Sequence, residues 1–193
     1  MLEGSEDGFW DWDLQTGRIE RSERWASMLG YNLAEIPATL ASGTALVHRE
    51  DLAHYEAWQA RITRESGDRC DIEYRMRTKA GEWRWILDRG KVVARGPDGR
   101  PLRMAGTHTD ITERKRTEAA LIESQALLKR SAQLLEQSQK AARVGGWESN
   151  LRSGRVYWTH ETYRIHETTP EEFHPTRESI FEFYVPESRQ RLI

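Results

Sequence analysis

A chain of 193 residues with 37% hydrophobic and 31% charged side chains has the make-up of one or two ordinary globular domains, and a formal charge of -2 leaves no basic excess to select nucleic acid. No apolar run is long enough to span a bilayer or serve as a secretory leader, so no direct membrane contact is expected in this segment and the expected compartment is the cytoplasm, with membrane segments left open for a longer parent. A single cysteine, Cys70, excludes an internal disulfide and a thiolate zinc site.

After a short extension over residues 1–7, Trp10, Trp12 and Leu14 alternate with Asp11 and Asp13, and a Gln-Thr-Gly turn ending at Gly17 leads into Ile19, which predicts a hairpin over residues 9–21. Ser22 is placed to cap a short helix carrying Trp25, Met28 and Leu29, which Gly30 ends. Asn32 with Glu35 has capping-box spacing. Residues 38–47 read as loop with short helical turns. Leu52, Tyr55, Trp58 or Gln59, and Ile62 then recur at helical spacing until Ser66 and Gly67.

From Cys70 the period changes to two. Cys70, Ile72, Tyr74 and Met76 face one way, and Cys70 reads as a structural thiol opening a strand. Beyond a Lys79-Ala80-Gly81 turn, Trp83, Trp85 and Leu87 alternate with Arg84, Ile86 and Asp88 as far as about Val93. Pro97, Asp98 and Gly99 form another turn, and a last strand runs from Leu102 to about Thr109. Two strands, several short helices and three hairpin strands make an α+β chain: five antiparallel strands with helices covering one face.

Residues Asp110, Ile111, Thr112 and Glu113 join the last strand to a helix without slack, Asp110 and Glu113 standing at capping-box spacing. The helix from Thr112 to about Arg143 repeats every seven residues through Ala120 and Leu121, Leu127 and Leu128, Leu134 and Leu135. That period favours a left-handed coiled coil in a parallel homodimer over packing against the chain's own domains. Serines at the first position of the repeat weaken the seam, as suits a switchable dimer.

The chain then starts over. An offset of 137 residues carries Trp10, Leu14, Gly17 and Arg18 onto Trp147, Leu151, Gly154 and Arg155, and Ile19, Ser22 and Glu35 onto Val156, Thr159 and Glu172. The second copy lacks the three hairpin strands, so Trp147, Leu151 and Val156 are expected on an uncovered sheet.

The strings FWDWDLQTGRI, MLGY, VHREDL, AGEWRWI and GTHTDITERK, in this order, resemble the PAS domain with its C-terminal PAC motif, a bacterial sensory module. The resemblance covers residues 8 to about 115 in full and 145–193 as the front of a second copy, which places a PAS/PAC domain at 8–111, a helical linker at 112–143 and an incomplete second domain at 144–193; Val185 and Pro186 depart from His48 and Arg49. It implies strand order 2-1-5-4-3, a pocket between sheet and helices, and an output path through the last strand. Trp25, Met28, Tyr55, Trp58, Ile62, Tyr74, Met76 and Trp85 are the candidates to line that pocket, although inward aromatics more often fill a core. Relatives bind haem, flavin or small organic acids, and the cofactor is left open here. His54 stands alone as a haem ligand, and Cys70 opens a strand where flavin photosensors carry their reactive cysteine on a helix. His160 and His166 are too loosely spaced for a metal site.

No phosphate-binding glycine loop, nucleophile elbow or helical His/Glu metal motif is present, nor a histidine-kinase phosphoacceptor box or a GGDEF string. The expectation is a non-enzymatic sensory and dimerisation segment of a histidine kinase or diguanylate cyclase, with any catalytic output beyond it. The alternative is a constitutive dimerisation scaffold without a ligand.

Overall fold

The computed structural model describes residues 7–64 and 69–189; the side chains of residues 62–64 and 69–70 are outside that description, and with them the expectations for Ile62 and Cys70. The chain divides into two compact units, Met1–Ala119 and Ala120–Ile193. Five strands of the first unit, β1 (Gly8–Asp13), β2 (Ile19–Arg21), β3 (Arg69–Arg77), β4 (Trp83–Arg95) and β5 (Pro101–Asp110), form one antiparallel sheet of order β2-β1-β5-β4-β3. Between β2 and β3 run α1 (Glu23–Met28), a 3-10 turn (Leu33–Glu35), α2 (Leu40–Thr44) and α3 (Leu52–Arg64).

Local chemistry sets these boundaries. The Asp13 carboxylate accepts the N–H groups of Gln15 and Thr16, and Gly17 takes a positive φ of 72° to bring the chain back into β2. Ser22 Oγ accepts from Trp25 N at 3.2 Å and from Phe9 N at 2.9 Å, so one hydroxyl caps α1 and ties it to β1. Glu35 reaches back to the Asn32 N–H at 2.9 Å and holds Lys79 at 2.7 Å.

The inner face of the sheet carries Trp10, Trp12, Ile72, Tyr74, Met76, Ile86 and Met104, in one core with Trp25, Ala26, Met28 and Leu29 of α1 and its C-cap and with Tyr55 and Trp58 of α3. Each large aromatic removes roughly 150–250 Å² from water, so the indoles dominate this core. The phase of β4 is opposite to the sequence reading: Ile86 and Asp88 are buried, whereas Trp83 is exposed and Trp85 half-exposed. The outer face offers Trp85 cations instead of a core, with Arg75 and Lys115 placed 5.4 and 5.0 Å from its ring centre, and Trp83 stands edge-on to His48 at 4.3 Å. Gly106 of β5 lies under the Trp10 ring, where a Cβ would come within 2.4 Å of the indole and 2.2 Å of the Arg89 carbonyl.

The helix α4 (Thr112–Ala142) follows β5, and among the described residues no helix is long and apolar enough to cross a membrane. It ends where Arg143 adopts φ 53° and Val144 N donates to Gln139 O at 3.0 Å, a Schellman-type close. Beyond it lie β6 (Trp147–Ser149), β7 (Val156–Trp158), α5 (His160–Ile165), a 3-10 turn (Ser179–Phe183) and α6 (Pro186–Arg189).

The second unit reproduces hydrogen bonds of the first at the 137-residue offset. Asn150 accepts from Arg152 and Ser153 as Asp13 does from Gln15 and Thr16, Gly154 repeats the positive φ of Gly17, and the bridge Arg18–Thr39 returns as Arg155–Thr176. Its core is different, because Trp158 stands where the first copy has Arg21. That indole stacks on His166 at 4.8 Å and meets Tyr163, Phe173 and Phe183 within 5.4 Å. Trp147 and Leu151 are exposed, but Val156 is half-buried, contrary to the sequence reading.

Candidate functional site

Between the sheet and the helices of the first unit lies a cavity of about 30 Å³, lined by Trp10, Trp12, Ile19, Arg21, Trp25, Leu40, Gly43, Tyr55, Trp58, Gln59, Tyr74, Met76, Asp88, Met104 and His108. That is room for about one or two water molecules. Of the sequence candidates, Trp25, Tyr55, Trp58, Tyr74 and Met76 meet on this lining. Met28 is buried in the core away from it, and Trp85 lies on the opposite face of the sheet.

Sequence reasoning passed over the polar residues of the site. Asp88 on β4 and His108 on β5 are register partners, both buried, and Asp88 Oδ2 lies 2.9 Å from His108 Nε2. Trp10 Nε1 donates to Asp88 Oδ1 at 2.8 Å and the Tyr74 hydroxyl to Oδ2 at 3.1 Å, so side chains from β1, β3 and β5 converge on one carboxylate. Period-two phasing could have found them, since Asp88 follows Ile86 and His108 follows Met104 at spacings that keep one face. Burial pushes the Tyr74 phenol well above its ordinary range, and Tyr55, also buried and near the Asp88 charge, is raised to about 12. Both stay neutral donors at physiological pH.

Arg21 enters the cavity from β2. Its Nη1 donates to Pro37 O at 3.1 Å and Ser42 Oγ at 3.3 Å, its Nη2 to Thr39 O at 2.9 Å, and the guanidinium lies 4.6 Å from the centre of the Trp25 ring. Desolvation lowers its pKa. The indole Nε1 atoms of Trp12, Trp25 and Trp58 are buried and have no acceptor among the described residues.

The second feature is the joint between β5 and α4, where Ile111 alone separates strand from helix and is buried. Ile111 N donates to Trp85 O at 2.9 Å, and Trp85 N donates to Thr112 Oγ1 at 3.0 Å. Asp110 binds Arg84 at 2.7 Å through one oxygen and accepts Thr112 N at 2.9 Å through the other. This is a two-residue reach where a capping box makes a three-residue one. Glu113 faces solvent, 3.7 Å from Arg116, so the capping-box reading of Asp110 and Glu113 is corrected. Arg114 and Lys115 both bind Glu73 of β3 at 2.6 Å, which pins the first turn of α4 to the outer face of the sheet.

Farther along α4, Leu121, Leu127, Leu128, Leu134 and Leu135 are all 55% or more exposed within the single chain, and Ala120 is exposed beside them. A helix with a row of uncovered leucines has apolar surface to bury.

A family model described as the PAS fold matches residues 18–108. The crystal structure of a sensory box histidine kinase/response regulator from Burkholderia thailandensis aligns with a TM-score of 0.58 at 36% identity, over 67% of this chain and 95% of that one. A methyl sulfide methyltransferase-associated sensor from Methanosarcina acetivorans is 30% identical over 106 residues, 55% of this chain and 10% of that protein. The hybrid signal transduction histidine kinase A of Dictyostelium discoideum is 38% identical over 84 residues, 42% of this chain and 4% of that protein. The chain thus spans a tenth or less of the curated relatives it matches. With the β2-β1-β5-β4-β3 sheet, the intervening helices and these matches in agreement, the chain belongs to the PAS family of sensory domains found in signal-transduction proteins.

Proposed function

We propose that this chain is a non-enzymatic sensory segment of a cytoplasmic signalling protein, in which occupancy of the cavity is relayed through β5 into α4 and α4 pairs with a second copy as a parallel coiled coil. One observation carries the reading. Met104 and His108 of β5 line the cavity, and the same strand passes into α4 across a single buried residue fixed on both sides by hydrogen bonds to Trp85. A strand so coupled has no loop in which to dissipate a shift. Residues 144–193, which repeat the turn chemistry of β1 and β2, are read as the front of a second PAS copy. Catalytic output belongs to other parts of a longer parent.

A second reading, a constitutive dimerisation scaffold, draws on the small cavity, since about 30 Å³ falls far short of the roughly 300 Å³ at which ligand pockets begin. Both readings require the dimer. Replacing Leu128 and Leu135 by Asp should convert a dimer to a monomer in multi-angle light scattering. A wild-type chain that is already monomeric, or a variant that stays dimeric, overturns the coiled-coil assignment.

A further inference from the structure

Resting on the sensory reading above, we propose that the second unit takes its input mechanically from α4, whose end it grips through a clasp of Gly145 and Gly146 with Thr159 and Thr162, so that it follows the helix instead of sensing through a cavity of the first kind. The clasp closes just beyond Ala142, where the helix stops, and all of it lies within the compact unit Ala120–Ile193. Gly146 N donates to Thr159 Oγ1 at 2.9 Å and Thr159 N to Gly146 O at 2.8 Å, while Thr162 Oγ1 donates to the same carbonyl at 2.7 Å. The packing around it is tight. A Cβ at Gly145 would stand 2.5 Å from Thr162 Oγ1 and 2.8 Å from Thr162 Cα, and one at Gly146 would stand 3.2 Å from Thr159 Cγ2 and 3.3 Å from Gln139 Nε2 of α4.

The helix side is held as well. Val144 N donates to Gln139 O at 3.0 Å, and Glu136 Oε1 lies 4.0 Å from His160 Nδ1 at the start of α5. Glu161 of α5 is buried, and its carboxyl is held below the ordinary carboxylate range first by Arg164 and then by Lys140 in the last turn of α4 and by Arg143. A rotation of α4 therefore meets no slack before β6 and α5. The same clasp stands at the head of the first unit, which marks it as a feature of the repeat: Phe9 N donates to Ser22 Oγ at 2.9 Å, Ser22 N to Phe9 O at 2.9 Å, and a Cβ at Gly8 would stand 2.5 Å from Trp25 Cα. In the second unit the strand so pinned is reached directly from α4.

The wall of the first cavity is not repeated. The 137-residue offset holds through the loop that follows, where Ser179 N donates to Thr176 Oγ1 at 3.0 Å as Ser42 N does to Thr39 Oγ1 at 3.4 Å. It carries Arg21 onto Trp158, and it carries Gly43, whose Cβ would stand 2.9 Å from Arg21 Nη2, onto Ile180. In place of a cation with space reserved for it, the second unit has a buried indole packed on Tyr163, His166, Phe173 and Phe183 with ring centres 4.8–5.4 Å away, and Ile180 is half-buried. A module that keeps the clasp and lacks this polar wall is coupled to the helix rather than to a polar guest.

The test uses the full chain with spin labels on Arg130→Cys in α4 and Arg152→Cys in the β6–β7 turn, in a Cys70→Ser background diluted with unlabelled chain so that double electron–electron resonance reads distances within one chain. One narrow distance population is expected. Thr162→Val, which keeps the side-chain shape and removes the hydroxyl, should broaden it. Gly145→Val, which drives a side chain into the Thr162 backbone, should broaden it further and raise exchange of the Gly146 and Thr159 amides about tenfold or more. Far-UV circular dichroism identifies a variant that has not folded, and Thr162→Val then stands as the decisive one. A broad distribution in the parent chain, or the parent's narrow one in the folded variants, overturns the clasp. In the Leu128→Asp, Leu135→Asp chain, which alters α4 alone, exchange in α5 should rise along with that of the helix; a rise that stops at the end of α4 overturns the transfer. Because the label distance lies within one chain, a monomeric wild type with a narrow distance overturns the coiled coil and supports the clasp.

Discussion

Asp88→Ala removes a carboxylate on which side chains from three other strands converge. Asp88 is 3% exposed, accepts from Trp10 Nε1 at 2.8 Å and Tyr74 Oη at 3.1 Å, and has its Oδ2 2.9 Å from His108 Nε2. Each buried donor left without an acceptor costs about 1–3 kcal/mol, so two independent orphans would cost ~2–6 kcal/mol. They are not independent. The Tyr74 hydroxyl and His108 Nε2 are already 3.3 Å apart and can satisfy each other, and the adjoining cavity has room for water beside Trp10. The lower part of the range therefore applies, ~2–4 kcal/mol. Against a total stability of about 5–15 kcal/mol, such a loss is large enough to measure and small enough to leave a folded population. Urea unfolding followed by far-UV circular dichroism and tryptophan emission should show a lower midpoint with unchanged slope. Asp88→Asn, which keeps one acceptor oxygen, should recover part of the loss. A change below about 1 kcal/mol in Asp88→Ala would refute the view that this carboxylate ties the sheet together.

Two further outcomes concern the joint and the sheet. Glu73→Gln should leave global stability within about 1 kcal/mol, because the pairs with Arg114 and Lys115 are partly solvated, while amide protection in the first turn of α4 falls. Lys115, then Arg114, hold the folded-state pKa of Glu73 below the ordinary glutamate value of 4.5, so the contribution is present above that value and is lost as pH falls through the lowered one; in hydrogen-exchange mass spectrometry the wild-type first turn should lose protection in that acid window and Glu73→Gln should not. Gly106→Ala should cost about 3 kcal/mol, the upper end for overpacking, since its Cβ meets backbone on one side and the Trp10 ring on the other; a melting temperature equal to wild type would show that the indole can move aside.

Much of this fold is legible because backbone geometry restricts the residues that carry it. The Asp13-to-Gly17 turn, the Ser22 cap and the period-two run at Ile72-Tyr74-Met76 stand in the structure where the spacing puts them. Strand β4 is misphased for a physical reason: a tryptophan at alternate positions reads as inward, but Trp85 finds its partners in Arg75 and Lys115 on the outer face. The same inversion hides Asp88, and with it the polar half of the cavity. Arg21 is invisible because its neighbours Pro37, Thr39 and Ser42 reach it through a loop without periodicity, and only folding brings them together. At the joint, the Asp110–Glu113 spacing suggests a capping box, whereas Asp110 closes the shorter ring to Thr112 because Arg84 already holds its other oxygen.

Strand β5 links the cavity to the helix through two side-chain contacts with its neighbour β4: His108 to Asp88 inside the core, and Asp110 to Arg84 at its margin. The two anchors stand two residues apart along β5, so the pleat turns both toward the same face of the sheet. A slide of β5 along β4 would break the ladder and both pairs at once, which makes it a costly mode. A twist about the strand axis keeps the ladder and moves the two pairs in the same sense, so that a change at His108 in the cavity wall reaches Asp110 and tilts the helix beyond Ile111. In the proposed relay the motion delivered to α4 is therefore a rotation, and a heptad seam with serines in its first position is the kind of interface that a small rotation can re-register.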